Sequence, residues 1–79
     1  MYNDYEISKE ISMITQAVGK RIKELRHKLG LSQEELADKA EIHRTYIASL
    51  EMGKRNISIV TLEKIVIALE VSMSEFFNF

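Results

Sequence analysis

Apolar residues recur at Ile7, Ile11, Ile14, Val18, Ile22, Leu25 and Leu29, in steps of four and three. That rhythm predicts a helical stripe from about Glu6 to Lys28, and Gly30 is a natural stop just past its end. Leu31 then leads into Ser32-Gln33-Glu34-Glu35, the spacing of a capping box, in which a Ser32 hydroxyl and a Glu35 carboxylate satisfy each other's backbone N–H. A short second helix is expected from Gln33 to about Lys39, burying Leu36, Ala37 and Ala40. Ala40-Glu41-Ile42 reads as a tight turn, and His43 to Glu51 as a third helix with Ile47 and Leu50 inward. Met52-Gly53-Lys54-Arg55-Asn56 is a polar loop. Ser58 or Thr61 can open a fourth helix, with Leu62, Ile65, Val66 and Leu69 on its apolar face. Ser72-Met73-Ser74-Glu75 repeats the capping-box spacing and starts a last short helix through Phe76 and Phe77. No alternating strand pattern is present. The expected fold is all-α: a compact five-helix bundle whose first helix is extended at its N-terminus.

Composition narrows the class. The chain has no proline, and glycine stands only at positions 19, 30 and 53, which suits helices joined by tight turns. Its 79 residues hold one core. With no cysteine there is no disulfide and no thiolate metal site, and two histidines, His27 and His43, are too few for zinc alone. An apolar share of 46% beside 29% charge describes a globular protein rather than a disordered one. The apolar runs are too short for a membrane span, and the N-terminus is acidic rather than signal-like, so a cytoplasmic protein is expected. Neither a nucleophile with its base, paired carboxylates, a glycine-rich phosphate loop nor a metal-ligand cluster is recognisable. An enzyme is not expected, nor any cofactor or metal.

The net charge of −1 argues mildly against a nucleic-acid partner, but its distribution does not. Lys20, Arg21, Lys23, Arg26 and Lys28 crowd one segment, and Arg44, Lys54 and Arg55 another, while the acids gather elsewhere. Two short helices around a three-residue turn have the geometry of a DNA-reading helix-turn-helix. On the second of them Arg44, Thr45, Ala48 and Ser49 point away from Ile47 and Leu50. Arginine can fork onto guanine, and small hydroxyl residues fit a groove. The same pattern also suits an ordinary solvated face.

Longer stretches carry more. Val18-Gly19-Lys20-Arg21-Ile22-Lys23-Glu24-Leu25-Arg26, Leu31-Ser32-Gln33-Glu34-Glu35-Leu36-Ala37 and Tyr46-Ile47-Ala48-Ser49-Leu50-Glu51-Met52-Gly53 stand in order, followed by Leu62-Glu63-Lys64-Ile65 and Ala68-Leu69-Glu70-Val71. From about Val18 to Phe77 the chain resembles the phage-repressor-like, or Xre, helix-turn-helix family. Within it, His43-Arg44-Thr45-Tyr46-Ile47 and Lys54-Arg55-Asn56-Ile57-Ser58 are similar to the controller proteins of restriction–modification systems.

The resemblance implies a transcriptional regulator acting on its own promoter. Gln33 would contact a phosphate; Arg44, Thr45 and Ser49 would face base edges, with Tyr46 beside the backbone. Arg55 and Asn56, next to Lys54, would hold a phosphate from the loop. Arg26 and Glu51 would form a structural ion pair. Two positions depart from the family: Glu41 stands where a glycine is common, and His43 where Ser or Thr would cap better, leaving His43 either a passive cap or a DNA contact. A single reading helix spans few base pairs, so a homodimer on a two-fold operator is expected. Similar proteins dimerise through the C-terminal end, here Met73, Phe76, Phe77 and Phe79, although Phe76 and Phe77 can equally close the core. Residues 1–15 are expected to extend the first helix and 16–79 to form the DNA-binding domain. Glu34 and Asp38, opposite Leu36, offer a contact to RNA polymerase or are simply solvated. A rival reading is an antitoxin or other protein-interaction module that grips its partner through the extension.

Overall fold

The computed structural model describes residues 3–79, and for residues 7–12 the backbone alone. Along the chain run α1 (Asp4–Lys28), α2 (Gln33–Ala40), α3 (Arg44–Glu51), α4 (Ile59–Ala68) and α5 (Met73–Phe76), with no strand among the described residues. The first helix starts two residues earlier than its apolar rhythm indicated, because Asn3 closes a capping box with Glu6. Ser32 and Ser72 make their expected boxes with Glu35 and Glu75. Of the two candidates before α4, Ser58 is the cap, accepting from the Thr61 N–H at 3.1 Å.

The first four helices all end in the same way. One or two residues past each helix the backbone turns left-handed, at Gly30, Glu41, Gly53 and Glu70. The next N–H then reaches back to the carbonyl five residues earlier, as from Leu31 to Arg26 and from Ile42 to Ala37. Leu31, Ile42 and Val71, the residues donating these bonds after α1, α2 and α4, tuck against the core. The stop signal and the packing signal are thus the same residue pair. Glu41 takes φ 58° in the position where the family favours glycine, and Glu70 repeats this at φ 61° after α4.

The core joins Val18, Ile22 and Leu25 of α1 to Leu36 and Ala37 of α2, Ile47 and Leu50 of α3, and Ile65, Val66 and Leu69 at the end of α4. Phe76 is fully enclosed among them, a burial worth about 1.5–3 kcal/mol. Gly19 allows α1 to touch the end of α3, for a Cβ there would lie 2.0 Å from the Leu50 carbonyl oxygen. N-terminal to Val18, described side chains on α1 are no more than half-buried, and Ile14 is 49% exposed. The expected contributions of Ile7 and Ile11 lie outside the described residues. No described helix is long and apolar enough to cross a membrane.

Candidate nucleic-acid interface

The turn of Glu41, Ile42 and His43 sets α3 against α2, with Ile42 half-buried as its anchor. Arg44 and Thr45 open α3 and are exposed, and Ser49 is half-buried one turn further on. His43 is the residue before α3, but its side chain caps no helical N–H. Its Nδ1 lies instead 3.3 Å from the Thr45 hydroxyl. That leaves the ring on the same edge as the exposed residues of α3.

Gln33 is the first residue of α2, and its amide is not simply solvated. Nε2 donates to Glu51 Oε1 at 3.2 Å, so Gln33 belongs to the network around Arg26. Arg26 gives Nε and Nη2 to the two Glu51 oxygens at 2.7 and 2.9 Å, and Nη1 to the Leu31 carbonyl. Hydrogen bonding to the Glu51 carboxylate raises the Arg26 pKa above its ordinary value, with burial opposing. The α2 start, the α3 end and α1 are therefore locked together by one buried pair.

Tyr46 organises the loop after α3. Its hydroxyl donates to the Asn56 carbonyl at 3.4 Å, and the Arg55 guanidinium lies 5.2 Å from the ring centroid. Lys54, Arg55 and Asn56 are all exposed. The Tyr46–Arg55 stacking was not legible in the sequence, because the eight intervening residues carry no periodic signal linking a helix aromatic to a loop cation. In the first basic segment Lys20, Lys23 and Lys28 are exposed. Arg21 and Arg26 are not available to a polyanion: Arg21 donates to the Phe76 and Glu75 carbonyls at 2.8 and 2.7 Å and pairs with Glu24.

That use of Arg21 pins the C-terminal end onto α1. Of the two readings open for Phe76, dimer surface or core, the structure gives the core: the ring has no exposed area, because α5 turns it inward under α4. Met73 is half-buried against the same core. Phe77 and Phe79 remain exposed, at 42% and 61%, with Phe77 edge-on to Phe76 at 5.0 Å. A larger apolar surface lies on α4, where Ile59, Val60 and Ile67 are exposed at 81%, 67% and 68%. The sequence did hold that signal: Ile59, Val60 and Ile67 fall on the face of α4 away from Leu62 and Ile65, where Glu63 and Lys64 are the charged residues beside them.

Glu34 and Asp38 are exposed on α2 as expected, yet they are not equivalent. Glu34 Oε2 lies 3.9 Å from the Arg44 guanidinium, beside the exposed start of α3. Among the described residues no cluster of metal-binding side chains occurs.

A helix-turn-helix with an exposed reading helix and a basic loop beside it defines a class of nucleic-acid-binding regulator. The helix-turn-helix family profile matches residues 22–76. The chain is 48% identical over 61 residues to the control protein C.MunI of a Mycoplasma species, covering 76% of this chain and 82% of that one. It is 40% identical to the control protein C.BamHI of Bacillus amyloliquefaciens, over 77% of this chain and 76% of the other. Among solved structures, the restriction–modification controller protein C.AhdI from Aeromonas hydrophila superposes with a TM-score of 0.79 at 38% identity, over 82% of this chain and 98% of that one. The C.Esp1396I controller tetramer in complex with its natural 35 base-pair operator superposes at 0.77 and 42% identity, over 81% and 84%. The chain belongs to the helix-turn-helix family of transcriptional regulators and, within it, to the restriction–modification controller proteins.

Proposed function

We propose that the protein binds a two-fold DNA operator at its own promoter as a homodimer, residues 16–79 forming the DNA-binding unit and residues 1–15 an extension outside it. One observation carries this reading: Tyr46 ties Arg55 and Asn56 of the loop to the helix that presents Arg44, Thr45 and Ser49, so that positioning and reading groups share one edge. Arg44 forks onto a guanine, Thr45 and Ser49 meet neighbouring base edges, and His43 lies alongside them. Gln33, Lys54, Arg55 and Asn56 hold phosphates on either side. The oligomeric operator complex of C.Esp1396I supports a multimeric reader.

The second copy docks on the apolar face of α4, Ile59, Val60 and Ile67, with Phe77 and Phe79 at its border. This moves the centre of the interface from the C-terminal aromatics to α4, since Phe76 is enclosed. For RNA polymerase the exposed Asp38 is the acid that remains, because Glu34 sits beside Arg44.

The test compares two variants on a panel of single-base changes in a duplex selected from random DNA. Arg44→Ala relaxes preference at one base pair of each half-site, at a cost of about 1–3 kcal/mol. Arg55→Ala weakens binding to every sequence and lowers the salt slope. If Arg44→Ala lowers every affinity equally, the reading edge is misassigned.

A further inference from the structure

We propose that Glu34 is a positioning residue that sets the selectivity of the reading helix, holding one edge of the Arg44 guanidinium so that the other edge is offered to a base. The proposal rests on the DNA-reading role of Arg44 given above. Arg44 opens α3 and Glu34 is the second residue of α2, so the turn between the helices brings the two side chains to 3.9 Å. They rim an open recess of about 280 Å³ that Asp38, Ile42 and His43 also line.

Among the described residues, Arg44 is the one cation of the proposed DNA edge that has a carboxylate partner. Arg55 rests on the Tyr46 ring, and among the described residues Lys54 pairs with no acid. The distinction matters chemically. A free cation is drawn to whichever phosphate is nearest, which strengthens binding to every sequence alike. Beside Glu34 the Arg44 guanidinium, in an exposed pair at 3.9 Å without a hydrogen bond, gains somewhat less from a phosphate, since the phosphate partly replaces an anion already there. Guanidinium has five N–H donors in a fixed plane. It can keep Glu34 on one edge and still give two parallel hydrogen bonds to guanine from the other. The carboxylate thus penalises binding at random sequence while leaving the specific contact intact.

The experiment measures binding of the wild type, Glu34→Gln, Arg44→Ala and the double variant to two duplexes, the selected operator and a scrambled one of equal length, across a salt series. Glu34→Gln is expected to tighten binding to the scrambled duplex on the order of tenfold in a dimer, the combined effect of two exposed pairs. Its salt slope on that duplex steepens by about 0.9 per protomer, one extra phosphate each. Operator affinity changes much less, so the selectivity ratio falls. With Arg44→Ala present, Glu34→Gln has no further effect on that ratio. Equal shifts on both duplexes, or a shift that persists without Arg44, overturn the proposal and leave Glu34 a diffuse negative charge. If instead Arg44→Ala alone leaves base preference unchanged, the DNA-reading assignment itself is wrong. A thermal unfolding midpoint for Glu34→Gln confirms that the exposed substitution leaves the fold intact.

Discussion

Arg26 and Glu51 face each other across 25 positions of sequence and meet in a two-point contact, Nε to Oε2 at 2.7 Å and Nη2 to Oε1 at 2.9 Å. Both side chains are nearly enclosed, at 9% and 3% exposure. Removing one partner leaves the other charge buried and unpaired, which costs about 3–5 kcal/mol. Arg26→Ala or Glu51→Ala is therefore expected to be strongly destabilising in denaturant titrations. Arg26→Met combined with Glu51→Leu should cost less than either single change. If each single change costs under about 1 kcal/mol, the pair is not the clamp described above.

Gly19 gives a reversed-sign prediction. In an ordinary helix interior, Gly→Ala stabilises by about 1 kcal/mol. Here the added Cβ would lie 2.0 Å from the Leu50 carbonyl oxygen, which is backbone and cannot swing aside. Gly19→Ala is expected to destabilise by about 1–3 kcal/mol through forced separation of α1 and α3. Chemical denaturation of the variant decides the sign.

Glu41 and Glu70 both occupy left-handed backbone, which costs a non-glycine residue about 1–2 kcal/mol. Glu41→Gly is expected to stabilise by about 0.5–1 kcal/mol once the greater freedom of unfolded glycine is subtracted. Glu70→Gly gains the same relief but loses the contact to Lys39 Nζ at 2.7 Å. The hydrogen bond from Lys39 lowers the Glu70 pKa below its ordinary 4.5. A depressed carboxylate pKa contributes stability above the ordinary value and loses it as pH falls through the lowered one. The advantage of Glu41→Gly over Glu70→Gly should thus be present at neutral pH and shrink below pH 4.5. Melting curves across that range show it.

For the dimer, Ile67→Asp and Phe79→Asp separate two locations. A two-fold interface counts each change twice, and an exposed apolar side chain buried on association contributes about 1.5–3 kcal/mol. Ile67→Asp is expected to shift the protein to monomer in sedimentation while leaving the helical spectrum intact. Phe79→Asp should do so more weakly. Phe76→Asp should unfold the chain, because that ring is in the core. Monomer formation by Phe79→Asp alone would return the interface to the C-terminal end.

Local chemistry and periodicity were sufficient for the helices, their order and most of their caps. Capping boxes such as Ser32 with Glu35 are written in four consecutive residues, and the core stripe of Ile22, Leu25, Leu36 and Leu50 follows from a 3.6-residue repeat. Family resemblance placed the candidate reading residues on α3 and the loop, and it anticipated the Arg26–Glu51 pair that the structure contains. What periodicity cannot express is which of several similar side chains finds a partner far along the chain. Arg21 and Lys20 are neighbours of equal charge, yet tertiary packing spends Arg21 on the α5 carbonyls and leaves Lys20 exposed. Phe76 and Phe77 are adjacent aromatics, and only the angle of α5 decided that the first is enclosed and the second exposed. The same holds for Glu34 and Asp38, one helical turn apart, of which the turn after α2 brings only Glu34 to Arg44. Sequence alone determined the order of the helices, the capped starts at Ser32 and Ser72 and what each inward face is made of, because those depend on near neighbours. The choice among equivalent charges and rings fell to the packing angles between helices, which no local pattern encodes.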